Sequence, residues 1–244
     1  MQVAIDCFYE HLDDYPAGTA IVAVDVIRSS TTAVTAVAEG RRCFVVPDLD
    51  AAARHRASLG SPFMVGELGG NMPFGFDATN SPVAVTQLGH LERPLVLLSS
   101  SGTRLMSVAS AAVDIAYVAC LRNWRAAASA ILRRSPERVV LLGAGTRGEF
   151  REEDQLCCAW IAALLLDGGG TAEPETRQVI DRWHGAPVTR IGEAKSGAYL
   201  RASGQLHDLE YIISHVDDLD TSFVMRGDEV CDERSPVTRM PTGA

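Results

Sequence analysis

The sequence has little positive charge. Lys and Arg total 22 against 31 Asp and Glu, a formal net charge of −9. Nucleic-acid binders usually carry a dominant basic patch, so no nucleic-acid partner is expected. A small anionic ligand is still allowed, because the local field governs its binding. Long apolar runs are also missing. The longest, "LCCAWIAALLL", lies between acids and falls short of the ~18 residues that span a bilayer, so no membrane partner is expected. The start, "MQVAIDCFYEHLDD", lacks the basic and apolar segments of a secretion signal, which predicts a cytoplasmic protein. The six cysteines form neither a CxxC pair nor zinc-like Cys/His spacing, and are read as reduced thiols. No GxSxG elbow occurs, and none of the six histidines adjoins a nucleophile motif. Cys157 and Cys158 sit in an apolar helical stretch and are read as packing.

What is present is an alternation of two periodicities. Segments 20–26, 43–46, 94–98, 115–119, 139–142 and 221–225 predict strands. Segments 30–39, 49–59, 123–133, 152–166 and 174–183, a stretch ending near 112, and part of 201–215 predict helices. Gly40 marks the end of the first helix. With 47% hydrophobic residues, the chain can bury a core without disulfides. The alternation predicts a three-layer α/β/α fold with a mostly parallel central sheet. It is expected as one domain over residues 1–227, with 228–244 a frayed polar tail. "PFMVGELGGNMPFGFDATNSP" is read as a long irregular loop.

Polar residues concentrate where predicted strands end, which is where parallel α/β sheets bind ligands. Four such loops are "DVIRSSTT", "GELGGNMPFGFDATNSP", "SSSGTR" and "GAGTRGEFREED". Hydroxyls and backbone N–H groups at helix starts favour anions. Arg28, Arg104 and Arg147 add forked donors. The loop acids Asp25, Glu67, Asp77, Glu149, Glu152, Glu153 and Asp154 are hard oxygen donors suited to Mg²⁺ beside a phosphate. Each piece also has a plain structural explanation. Ser29 to Thr32 suit a helix cap, "GAGTRG" suits a tight turn, Glu152 to Asp154 suit a helix dipole, and Arg28 suits an ion pair with Asp25.

In combination, these loops resemble the 2-phosphosulfolactate phosphatase (ComB-like) family. The first matches a D-V-[LI]-R-[AS]-[TS]-T-T string through Asp25, Arg28, Thr31 and Thr32. The second resembles GExGG…GFDxxNSP over 66–70 and 75–82, and the fourth AGTxGxFxxED over 144–154. The later "SGAYLRASGQLHDLEYII" also resembles a family segment, so the likeness spans about 20–225. The resemblance implies an Mg²⁺-dependent phosphatase of 2-hydroxy acid phosphate esters, converting 2-phosphosulfolactate to 3-sulfolactate in coenzyme M biosynthesis.

On this resemblance Asp25 is expected as metal ligand or nucleophile, and Glu67 and Asp77 as metal ligands or base. Glu153 and Asp154 complete the metal set. Substrate or phosphate contacts are expected from Arg28, Ser30, Thr31, Thr32, Asn80, Ser81, Ser100, Ser101, Gly102, Thr103, Thr146 and Arg147. Two positions depart from the family pattern. Leu68 replaces an arginine and Ser101 an asparagine, which implies a preference for a phosphorylated acid without a sulfonate. A noncatalytic binder of a small phosphorylated acid is the alternative, and a homo-oligomer is left open.

Overall fold

The computed structural model describes residues 1–9, 12, 15, 16, 18–145 and 149–236 of the 244-residue chain. Among them, ten strands form one sheet: β1 (Gln2–Asp6), β2 (Ala20–Val24), β3 (Cys43–Val46), β4 (Phe63–Gly66), β5 (Leu95–Leu98), β6 (Ala116–Ala119), β7 (Arg138–Gly143), β8 (Thr171–Ala172), β9 (Phe223–Arg226) and β10 (Glu229–Asp232). The helices are α1 (Ser29–Ala38), α2 (Leu49–Ser58), α3 (Pro82–Gln87), α4 (Gly102–Ala112), α5 (Trp124–Arg134), α6 (Glu152–Asp167), α7 (Pro174–Trp183), α8 (Lys195–Ala202) and α9 (Leu206–Ser214). The mostly parallel sheet with flanking helices is the predicted three-layer α/β/α class. None of the described helices is long and apolar enough to cross a membrane.

Local chemistry sets the boundaries. Asp48 accepts the Ala51 N–H at 2.8 Å and starts α2. Gly40, at φ +89°, follows α1 in a backbone region that a side chain would strain. Along β2 the side chains alternate between two cores. Ala20, Val22 and Val24 join the cluster packed by α5 and α6, while Ile21 and Ala23 join the cluster that contains α1 and α4. In β5, Leu95 and Leu97 enter this second core, whereas Val96 and Leu98 face a smaller one beneath α2.

The strand order is β4-β5-β3-β10-β9-β6-β2-β7-β1-β8. Two parallel blocks, β4-β5-β3 and β6-β2-β7-β1-β8, are joined by the β9–β10 hairpin. All three pairings through the hairpin are antiparallel, so the blocks run in opposite senses along the sheet. Strand twist accumulates at roughly 20–25° per pairing, and the five pairings between β2 and β5 thus turn the blocks by roughly 100–125°. Helices α1 and α4 lie in the resulting concavity and touch strands of both blocks. Loops that leave different blocks are thereby brought to one place.

Two expectations need correction. The stretch read as one irregular loop contains β4, and Pro82 opens α3. Its glycines and prolines are real turn residues, but they follow the strand rather than prevent it. The stretch from residue 228, expected as a frayed tail, supplies β10 in the middle of the sheet. Its polar residues misled because Val230 alone among its strand residues is fully buried, with Glu229 paired to Arg42 at the surface. Residues 237–244 lie outside the described set.

If β10 bridges the two blocks, Val230→Asp should be severe. A carboxylate placed between β3 and β9 has no partner to repay its desolvation, and the expected loss is about 3 kcal/mol or more. Urea denaturation would read this as a lower midpoint, and an unchanged midpoint would return the segment to the tail reading.

Candidate functional site

The cleft is a cavity of about 410 Å³ lined by residues from four loops and α8. Asp25 and Arg28 come from the β2–α1 loop, Glu67, Gly70 and Asn80 from the β4–α3 connection, and Ser99 to Ser101 from the β5–α4 loop. Arg151 precedes α6, and Lys195, Ser196 and Tyr199 belong to α8.

Asp25 sits at the centre, 7% exposed, where the β2 backbone leaves the sheet. The Ser29 backbone and side chain lie close enough to favour its ionised form. Its Oδ2 presses on the first residue of α4, so that a Cβ on Gly102 would stand only 1.9 Å away. Only glycine permits a carboxylate so close to that helix N-terminus, where the dipole favours negative charge. Burial outweighs this help and pushes the Asp25 carboxyl up to about 6, with Glu67 adding to the rise.

Two more acids lie beside it in the first turn of α6. Burial raises Glu153 above the usual carboxylate range, and Asp25 reinforces this. Asp154 is raised further, by burial and by both neighbouring acids. Asp154 Oδ1 accepts the Val26 N–H at 2.7 Å and ties α6 to the end of β2. Both Glu153 oxygens are buried without a hydrogen-bond partner. Ser196 approaches closely enough to favour ionised Glu153, but not in hydrogen-bonding geometry.

A set of buried hydroxyls joins the loops. Asn80 Nδ2 donates to Ser29 Oγ at 3.1 Å, Ser29 Oγ donates to Ser99 Oγ at 2.7 Å, and the Thr103 N–H donates to Ser99 Oγ at 3.0 Å. Glu67 pins the outer wall by accepting from the Ser100 N–H at 2.8 Å, the Ser100 hydroxyl at 3.0 Å and the Gly70 N–H at 2.7 Å. Tyr199 donates to the Gly70 carbonyl at 3.2 Å and brings α8 against that wall.

Of the sequence-predicted residues, Asp25, Arg28, Glu67, Asn80, Ser100 and Ser101 line the cleft, and Gly102 supports Asp25. Ser30 accepts the Asp25 N–H at 2.9 Å and Thr31 donates to the Val26 carbonyl at 2.8 Å, so both hydroxyls serve the turn itself. The Thr32 hydroxyl is buried without a partner. Ser81 caps α3 and donates to Asp208 at 2.5 Å, and Thr103 serves the hydroxyl set. Asp77 is not brought to the cleft. It is exposed, and its carboxylate closes its own loop by accepting the Met64 N–H at 2.7 Å. Thr146 and Arg147 lie outside the described residues. Leu68 is 36% exposed and does not line the cleft, which removes the geometric basis for expecting it to exclude a sulfonate. Ser101 does line it.

Sequence reasoning missed Arg151, Lys195, Ser196 and Tyr199, which reach the cleft from the chain's second half. It also missed Asp208. This fully buried carboxylate pairs with Arg28 Nη1 at 2.6 Å, and Gln205 accepts from the same nitrogen. Arg28 is therefore ion-paired with α9, not with Asp25. The "SGAYLRASGQLHDLEYII" resemblance was the available signal for this segment, but it carried no pairing information.

The site residues are hard oxygen donors, and orphaned Glu153 oxygens beside Asp25 suit a divalent cation such as Mg²⁺. No group of three or more His, Cys, Asp or Glu side chains among the described residues forms a ready cage. Mg²⁺ itself typically takes one or two carboxylates and completes its shell with water and substrate phosphate.

A protein from Synechococcus sp. (strain CC9605), called a probable 2-phosphosulfolactate phosphatase, is 31% identical over 79% of this chain and 82% of its own. Proteins of the same name from Prochlorococcus marinus (strain MIT 9313) and Gloeobacter violaceus (strain ATCC 29082 / PCC 7421) are 30% and 32% identical. They cover 86% and 80% of this chain, and 90% and 85% of their own lengths. The family model described as 2-phosphosulpholactate phosphatase matches residues 8–225, and the chain belongs to that family.

Proposed function

We propose that this chain is a phosphoric monoester hydrolase that uses one Mg²⁺ to convert 2-phosphosulfolactate, or a closely related 2-hydroxy acid phosphate, to the hydroxy acid and phosphate. The observation that carries the reading is buried Asp25 set against the N-terminus of α4 at Gly102, with orphaned Glu153 near enough for the two carboxylates to repel each other. Family membership supports the reaction class.

Asp25 and Glu153 would hold the cation. When bound, Mg²⁺ neutralises phosphoryl oxygens and makes a coordinated water more acidic. The protein's own contribution is placement. The N-terminal backbone N–H groups of α4 would offer donors to phosphoryl oxygens. The Asn80–Ser29–Ser99 set holds Asp25's loop rigid, so little reorganisation accompanies charge development. Arg28 faces the cleft with its fork already oriented by Asp208.

Phosphate release from 2-phosphosulfolactate should vanish in EDTA and return with Mg²⁺. Full turnover in chelator, with no metal in the protein, would refute the cation's role.

A stability measurement provides a second readout. The Asp25 carboxyl holds its proton up to about pH 6 when folded but loses it near ~4 when unfolded. The folded state therefore binds more protons between these values, and stability falls as pH rises through the window. Asp25→Asn, which cannot ionise, should gain on the order of 2 kcal/mol relative to the parent on moving from pH 4 to pH 7.5 in EDTA. The change between the two pH values carries the test, because Asn also alters the contacts with Ser29 and Gly102 at either pH. Mg²⁺ should raise the parent's melting temperature at pH 7.5 more than the variant's. An equal effect of the substitution at both pH values would show that Asp25 is not the strained charge.

A further inference from the structure

The cleft is lined by three cationic side chains, and they differ in what they already bind. Arg28 is committed through Nη1 to Asp208 and Gln205. Lys195 is paired with Glu149 at 2.5 Å. Arg151 is partly buried at the N-cap position of α6 and lines the cleft. Among the described residues its side chain has no hydrogen bond or ion pair. Its charge is felt by Glu153, whose ionised form it favours without contact.

A cavity of about 410 Å³ falls within the ~300–1,000 Å³ of pockets that take organic ligands, so it holds more than a phosphoryl group. Under the reading above, the phosphoryl end is fixed by Asp25 and the α4 N-terminus. The rest of the lining includes Arg151 before α6 and Ser196, Tyr199 and Leu200 on α8, and the carbon skeleton is expected against these residues. In that wall the one cation without a partner is Arg151, and no existing pair must break for it to receive an anion.

We propose that Arg151 determines specificity by binding the acid group that the substrate carries beside its phosphate ester. The inference rests on the phosphatase reading and adds a residue to it. A guanidinium fork matches two oxygens of a carboxylate or sulfonate, and partial burial strengthens such bonds over those in bulk water. Ser196, on the same wall, adds a hydroxyl donor.

The test compares phospholactate with isopropyl phosphate, in which a methyl group replaces the carboxylate. The measurement is the ratio of their kcat/KM values in saturating Mg²⁺, for the parent chain, Arg151→Gln and Arg151→Lys. Loss of a charge-assisted hydrogen bond in Arg151→Gln should lower the ratio at least about tenfold, mainly through KM for phospholactate. Arg151→Lys should fall between, because it keeps the charge but not the fork. An unchanged ratio overturns the proposal in either form. If both rates fall together, Arg151 acts on the phosphoryl group; if neither falls, it has no role in the cleft. Turnover of neither ester, nor of 2-phosphosulfolactate, by the parent would overturn the phosphatase reading and this inference with it.

Discussion

Three carboxylates that repel one another, Asp25, Glu153 and Asp154, are held together where β2 and β7 end. Burial and mutual repulsion oppose the arrangement, so the surrounding structure must enforce it. Asp154 does this directly by fastening α6 to the Val26 backbone. Gly102 does it by omission, since any side chain there would meet Asp25. The core strands on either side carry fully buried Val, Leu and Ala, and their packing energy offsets the repulsion. Local destabilisation of this kind, compensated elsewhere, is characteristic of sites arranged for charge chemistry.

The fold brings the other loops to these acids by an indirect route. Opposed strand blocks would ordinarily send their loops to opposite edges of a sheet. Here the β9–β10 hairpin separates the blocks, and accumulated twist turns them around α1 and α4. Glu67 and Ser99 to Ser101 from one block therefore meet Asp25 from the other. The hydroxyl set from Asn80 through Ser29 to Ser99 is the seam between blocks, and buried hydrogen bonds make that seam directional as well as cohesive.

The α/β class was legible because apolar alternation and helix periodicity are local signals. Cys43–Val46 and Pro174–Trp183 were read to the residue. The opposed blocks were not legible, because sense is decided by β10, whose strand residues look like polar tail and whose partners lie far off in sequence. The same distinction holds in the site. Asp25 and Glu67 stand in loops whose composition points to chemistry. Asp77 stands in one too, yet its carboxylate is used to close the loop. Composition marks a loop as unusual without saying which acid faces the ligand. Arg151 was invisible for a related reason: an arginine before three acids reads as a surface helix start, and only the tertiary structure shows it without a partner.

Asp208 shows how the late part of the chain controls the early part. Its two oxygens receive Arg28 on one side and Ser81 on the other, with the Val83 N–H more distant at 3.4 Å. One buried carboxylate thus orders the β2–α1 loop and the start of α3 together. A lone buried charge would be strongly unfavourable, and so would Arg28 without it. The pair therefore makes the settled β2–α1 loop depend on a docked α9. This makes the geometry around Asp25 conditional on a helix about 180 residues away, and it explains why a loop so distinctive in sequence cannot be interpreted from its own residues alone.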